Sequence, residues 1–190
     1  MTTFEFIFAL LSVVLGLALT HMLGAVAQLV RAGNRVRFSW SHAAWMAATF
    51  VGTIGNWLGL WQLRQLVEWN ALSLMGTVLL VVFQYLIAAL VTPDVPAEGV
   101  IDLKDFARRE GRRYVGAMAI FALMMLPLNL IYAGVFDIAR WGQDNLFVVP
   151  MVGAAVLPLV VRRNWAQLVG GILMLALMSA YLVYAATIMT

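Results

Sequence analysis

Six apolar stretches, at about residues 5–30, 43–63, 72–92, 114–134, 146–161 and 166–188, constrain this chain more than any other feature. A helix crosses a hydrocarbon core of ~30 Å with about 20 residues, and in lipid each stretch must satisfy its own backbone hydrogen bonds, which an isolated strand cannot do. A closed barrel would alternate apolar and polar side chains over segments of about ten residues, and no such pattern occurs. Composition agrees: 64% of the 190 residues are hydrophobic and 11% are charged, against about 45–50% and about 25% in soluble domains. The expected fold is all-α, a polytopic transmembrane bundle of six helices forming a single transmembrane domain over residues 1–190.

The loops orient this bundle. Arg31, Arg35 and Arg37 lie in the first loop, Lys104, Arg108, Arg109, Arg112 and Arg113 in the third, and Arg162 and Arg163 in the fifth, whereas the second and fourth loops hold only Arg64 and Arg140. Ten cations against two on short loops places the odd-numbered loops in the cytoplasm and both termini outside. The net charge of +3 is thereby explained by headgroups and insertion, without nucleic acid. Met1 to Phe6 lacks the basic start of a signal peptide and carries Glu5, so the first stretch is read as a retained helix. Trp40, Trp45 and Trp165 fall at the expected inner interface and Trp61, Trp69 and Trp141 at the outer one.

The third loop, 93–113, is the longest. Pro93 and Pro96 break the preceding helix, Asp102 has the position of an N-cap, and Asp105 pairs with Arg109 at i,i+4. A short cytoplasmic interfacial helix is expected there, lying along the interface or leading straight into the fourth span. Asp102-x-x-Asp105 has no second acidic motif, so it is read as capping and not as a metal site. Pro150 and Pro158 make the short fifth span the place to expect a kink.

Small residues recur at four-residue spacing. Ser12, Gly16, Thr20, Gly24 and Gln28 form one ridge on the first span, and Ala44, Ala48, Gly52, Gly55 and Gly59 form another on the second. Such ridges let helix backbones approach closely, either within one chain or between copies in a homo-oligomer.

Four polar side chains lie deep in the spans. His21 is ten residues before Arg31, Gln84 nine before Pro93, Asn56 eight before Arg64 and Asn129 eight before Asp137. At about 1.5 Å per residue each sits ~12–15 Å from one face of the core, near the midplane. Polar groups at that depth are expensive unless they bond one another or line a wet cavity, so His21, with Thr20 beside it, Asn56, Gln84 and Asn129 are expected to converge. His21 is read either as a proton relay or as a neutral histidine bonded to Gln84 or to a backbone carbonyl.

Several chemistries lack their residues. There is no cysteine, and the one lysine, Lys104, lies in a loop. Two histidines, His21 and His42, are too few for paired haems. No metalloprotease, nucleophile-elbow, phosphate-loop or selectivity-filter motif occurs. No enzyme activity, metal or cofactor is therefore expected.

Gly16-Leu-Ala-Leu-Thr-His21, the segment Arg35 to Trp40, Asp102-Leu-Lys-Asp-Phe and Arg112-Arg113 together resemble a group of short bacterial multi-pass membrane proteins without an assigned function. The resemblance implies a bacterial inner (plasma) membrane setting and no particular activity. The leading functional expectation is a small transport or permeation unit whose midplane polar site meets a solute or a proton, since that accounts for clustered polarity. The alternative is a non-catalytic membrane scaffold, sensor or accessory subunit.

Overall fold

A computed structural model describes residues 3–65, 69–133 and 137–188. It is all-helical apart from one two-residue strand pair, with α1 at Thr3–Ala32, β1 at Val36–Arg37, α2 at Trp40–Leu60 and α3 at Ala71–Val91. The second half holds β2 at Ile101–Asp102, α4 at Leu103–Ala133, α5 at Ile138–Asp144, α6 at Val148–Val160 and α7 at Asn164–Ile188. Among the described residues four helices, α1, α3, α4 and α7, are long and apolar enough to cross a membrane, or five spans if α5 and α6, bent by 60°, count as one.

The difference from six spans has two physical sources. α2 is a 21-residue helix, but His42, Thr49, Thr53 and Asn56 dilute its hydropathy, and all four are buried. α6 has 13 residues, about 20 Å of helix, too short to cross alone. The bend lies at 145–147 and not at a proline: Pro150 sits in the first turn of α6, where no intrahelical N–H is lost.

Helix starts follow local chemistry. Ser39 caps α2 by accepting from the His42 N–H, Asn70 caps α3 by accepting from Ser73 N–H, and Asp137 caps α5. Asp102 Oδ1 accepts from the N–H groups of Lys104 and Asp105, both at 3.0 Å, so it begins α4 as its sequence position predicts. No separate interfacial helix forms. Nothing between Asp105 and Tyr114 breaks a helix, and the loop helix continues as the leading turns of the 31-residue α4, which at about 46 Å outreaches a ~30 Å core.

α1 ends at Gly33, whose φ of +53° glycine alone adopts readily. Beyond it, β1 and β2 pair in parallel, Val36 with Ile101 and Arg37 with Asp102. Arg35 Nη1 donates to the carbonyls of Pro96, Ala97 and Gly99 at 2.9–3.3 Å, and Arg37 bridges to Asp102 at 3.4 Å. The first and third loops, both arginine-rich, thus meet at one end of the bundle.

α2 packs against α1, α3, α4 and α7, and its contact with α7 is the most extensive in the chain. Gly52 and Gly55 face Met178 and Tyr181, while Gly171 of α7 faces Trp45 and Ala44 at about 3 Å. The glycine ridge of α2 is therefore an intrachain seam. Trp45 is fully buried, donating from Nε1 to Gln167 O at 2.9 Å, and is a core residue where the interfacial belt reading expects an anchor. Trp40 and Trp165 are exposed as that reading expects. Phe6, Leu17, Val30, Ile172 and Val183, each more than half exposed, belong to an apolar outer surface that marks the chain as membrane-embedded.

Candidate functional site: a buried polar stripe on the second helix

Heptad-like spacing puts His42, Trp45, Thr49, Gly52 or Thr53, and Asn56 on the inward side of α2, and all are buried. From His42 to Asn56 the stripe covers about 21 Å. Thr49 Oγ1 donates to Trp45 O at 2.9 Å and Thr53 Oγ1 to Thr49 O at 2.8 Å, so each hydroxyl is satisfied one turn back on its own helix. Gln84 of α3 donates from Nε2 to Thr53 Oγ1 at 2.8 Å, tying the two helices. Asn56 lies next to this group, and its Nδ2 has no partner. It borders a cavity of about 20 Å³ walled by Phe121, Met151, Met178 and Tyr181, room for one water.

The stripe begins in an aromatic cluster. His42 is 1% exposed, and neither ring nitrogen has a hydrogen-bond partner. Its ring meets Phe106 edge-on at 5.1 Å between centroids and Tyr114 at 6.3 Å. Tyr114 Oη and Gln167 Oε1 are buried without partners too. The Gln167 carboxamide lies against Gly111, one turn before Tyr114 on α4, where a Cβ would stand 2.5 Å from Nε2. Buried polar atoms are nearly always bonded, so orphaned atoms gathered at one end of the bundle mark a place for a water or a ligand group. In the sequence His42 is a lone histidine at the edge of the second apolar stretch, with no motif around it. Its position in the first turn after the Ser39 cap fixes it to the bundle, but its meeting with Tyr114 and Gln167 is tertiary and has no local signal.

The expected midplane site is only partly assembled. Gln84 and Asn56 share the α2 interior. Asn129 bonds elsewhere, donating from Nδ2 to Asn145 Oδ1 at 3.0 Å and Asp144 O at 3.3 Å, and so it fastens α4 to the end of α5. His21 and Thr20 are exposed. The Thr20 hydroxyl donates to Gly16 O at 2.8 Å. Gly16, Thr20, Gly24 and Gln28 lie on the side of α1 opposite the buried Leu11, Leu15, Ala18, Met22 and Ala25, and a Cβ added to Gly16 or Gly24 would meet nothing within 4 Å. Ser12 is turned toward α2 and accepts from Trp57 Nε1 at 3.0 Å. His21 of α1 is thus exposed, whereas Gln84 of α3 is buried and bonded to Thr53.

Among the described residues no group of three or more His, Asp or Glu side chains is placed to hold a metal ion. No protein family, curated protein or solved structure matches this chain.

Proposed function

We propose that the chain is a non-catalytic scaffold or accessory subunit of the bacterial inner membrane, six-span with both termini outside, acting as a homo-oligomer through the outer ridge of α1. The supporting observation is the direction of that ridge: His21 and the open Gly16 and Gly24 face away from the chain's own bundle. An imidazole exposed to hydrocarbon about 15 Å from the Arg31 end of the helix is costly. A second α1 crossing at Gly16-x₃-Thr20-x₃-Gly24 lets backbones approach closely and gives each histidine a hydrogen-bonding neighbour in the other copy.

The absence of native cysteine makes the test clean. Gly16→Cys and Gly24→Cys should each form a disulfide dimer when membranes are oxidised, whereas Leu123→Cys, on the exposed side of α4, should not. Adding Gly24→Leu to Gly16→Cys should cut the dimer at least about tenfold, a loss of ~1.4 kcal/mol. Equal cross-linking at all three positions would overturn the reading.

A transport or permeation unit is the second reading, favoured by the α2 stripe. Among the described residues the buried side-chain polar atoms without partners, on His42, Asn56, Tyr114 and Gln167, all lie on α2 or on residues packed beside its first turns. A proton lane in this reading passes Gln84 and Asn56 and leaves out His21. Vesicles reconstituted with the chain should then carry a proton flux that Asn56→Leu abolishes; no flux from the native chain would eliminate this reading.

A further inference from the structure

At the end of the bundle where α2, α4 and α7 begin, carboxylates match only some of the arginines. Arg108 and Arg109 share Asp105, Arg113 pairs with Glu110, and Arg37 pairs with Asp102. Among the described residues the side chains of Arg112, Arg162 and Arg163 have neither an ion pair nor a hydrogen bond, and all three residues are exposed. They share one corner of the molecule. Gly111 of α4 packs on the Gln167 carboxamide of α7; Arg112 is the next residue on α4, and Arg163, with Arg162 before it, lies one turn ahead of Gln167.

The uncharged runs beside these arginines set their depth. Residues 114–133 of α4, 148–160 of α6 and 164–188 of α7 hold no Asp, Glu, Lys or Arg. The run on α4 has 20 residues, about 30 Å of helix, which matches the thickness of a hydrocarbon core. Charges inside that core are costly, so its boundary falls where charges resume, next to Arg112 on α4 and next to Arg162 and Arg163 between α6 and α7. Lipid phosphates lie just beyond that boundary.

Two further features narrow the occupant. Val160 and Trp165, on either side of the arginine pair, are each more than half exposed, so what binds must carry an anion for the guanidinium groups and an apolar body for the surface beside them. An acidic protein segment has the first without the second. The carboxylates on this part of α4, Asp105 and Glu110, are engaged by other arginines, which leaves nothing to match the cation of a choline or ethanolamine headgroup. A phosphate accepts paired N–H bonds from a guanidinium fork.

We propose that Arg112, Arg162 and Arg163 form a binding site for the phosphate of a phospholipid with a net negative headgroup, its acyl chains lying along the exposed sides of α6 and α7. The site does not involve the α1 ridge or the homo-oligomer, and it is the same for either orientation of the chain in the membrane.

The test reconstitutes the full chain in phosphatidylcholine vesicles holding a trace of phosphatidylglycerol or phosphatidylcholine, spin-labelled near the end of one acyl chain. The native chain should restrict the phosphatidylglycerol probe at least about threefold more, since each arginine near the surface adds severalfold to the attraction. Arg162→Gln with Arg163→Gln should cut that preference by about half or more, and so should Arg112→Gln alone. Arg64→Gln with Arg140→Gln removes the same charge as the first pair, from the opposite end of the bundle, and should leave the preference unchanged. The arginines replaced in the site are exposed and unbonded, so the fold is kept. No preference in the native chain, or an equal fall in the two double variants, would mean attraction by the charge of the whole protein or none at all and would overturn the proposal. So would inorganic phosphate that releases the probe more than chloride does at equal ionic strength, because the site would then take a free anion.

Discussion

α1 and α2 carry the same sequence device and turn it in opposite directions. Both have small residues at four-residue spacing with polar groups among them, yet α2 aims Gly52 and Gly55 at Met178 and Tyr181 inside the chain, whereas Gly16 and Gly24 of α1 meet open space. The difference comes from the other faces of each helix. On α1 the bulky residues Leu11, Leu15 and Met22 claim the core, because apolar bulk packs well against neighbouring helices and leaves the small side free. On α2 the buried side is Ala44, Ala48, Thr49, Gly52 and Thr53, and α7 supplies bulk through Met174, Met178 and Tyr181. A small-residue ridge thus signals close approach without saying to what.

The sharpest way to break this contrast is to load both kinds of seam. Gly170 of α7 has Ala154 O at 2.8 Å and Pro158 Cδ at 3.1 Å from the position of an added Cβ. Gly170→Leu has only backbone and a rigid ring to push against, so it should lower stability by about 3 kcal/mol or more, read as thermal unfolding in detergent. Gly24→Leu should leave unfolding of the monomer unchanged. If both variants unfold alike, the inside–outside distinction is wrong.

A milder probe concerns the interhelical hydrogen bond. Gln84→Leu removes the donor to Thr53 while Thr53 keeps its bond to the Thr49 carbonyl. The expected loss is about 0.6 kcal/mol, the average found for such bonds in a membrane, measured by unfolding in mixed detergent micelles. A loss several times larger would mean that Gln84 also orders the Asn56 neighbourhood.

The smallest expected effect is at the loops. The Asp105 N–H on its carboxylate, with Arg37 and the Lys104 N–H, holds the Asp102 carboxyl below its ordinary range. A carboxylate so depressed contributes its hold on the start of α4 above its unfolded pKa and loses it as pH falls through the folded one. Amide exchange of Lys104 and Asp105 should therefore quicken on acidification to below the ordinary carboxylate range, and Asp102→Asn should flatten that dependence. Exchange that ignores pH, after correction for intrinsic rates, would show that β1–β2 pairing alone holds this turn.

Much of this architecture is legible in the sequence, because apolar run length and capping residues act locally. The helices at 71–91 and 164–188 lie within two residues of the expected stretches at each end, and Asp102 and Asp105 with Arg109 take the expected roles at the start of α4. What is not legible is direction and partnership. The ten-residue count from His21 to Arg31 leads one to expect mid-depth but does not say which side of α1 faces the bundle; that is decided by competition among faces. Asn129 finds Asn145 only because the chain folds back through α5. The cluster of His42, Tyr114 and Gln167 joins residues from α2, α4 and α7, and no local pattern in any of the three announces it.

The pairing of Val36 with Ile101 and Arg37 with Asp102 has a bearing on how the chain is assembled. During synthesis the first of these segments must wait, unpaired, until more than sixty further residues have been made, α2 and α3 among them. When the second segment arrives, a slip of one position would exchange the places of Val36 and Arg37, sending a cation toward the apolar side and a valine toward water. Those two short strands therefore set the offset of the end of α1 against the start of α4.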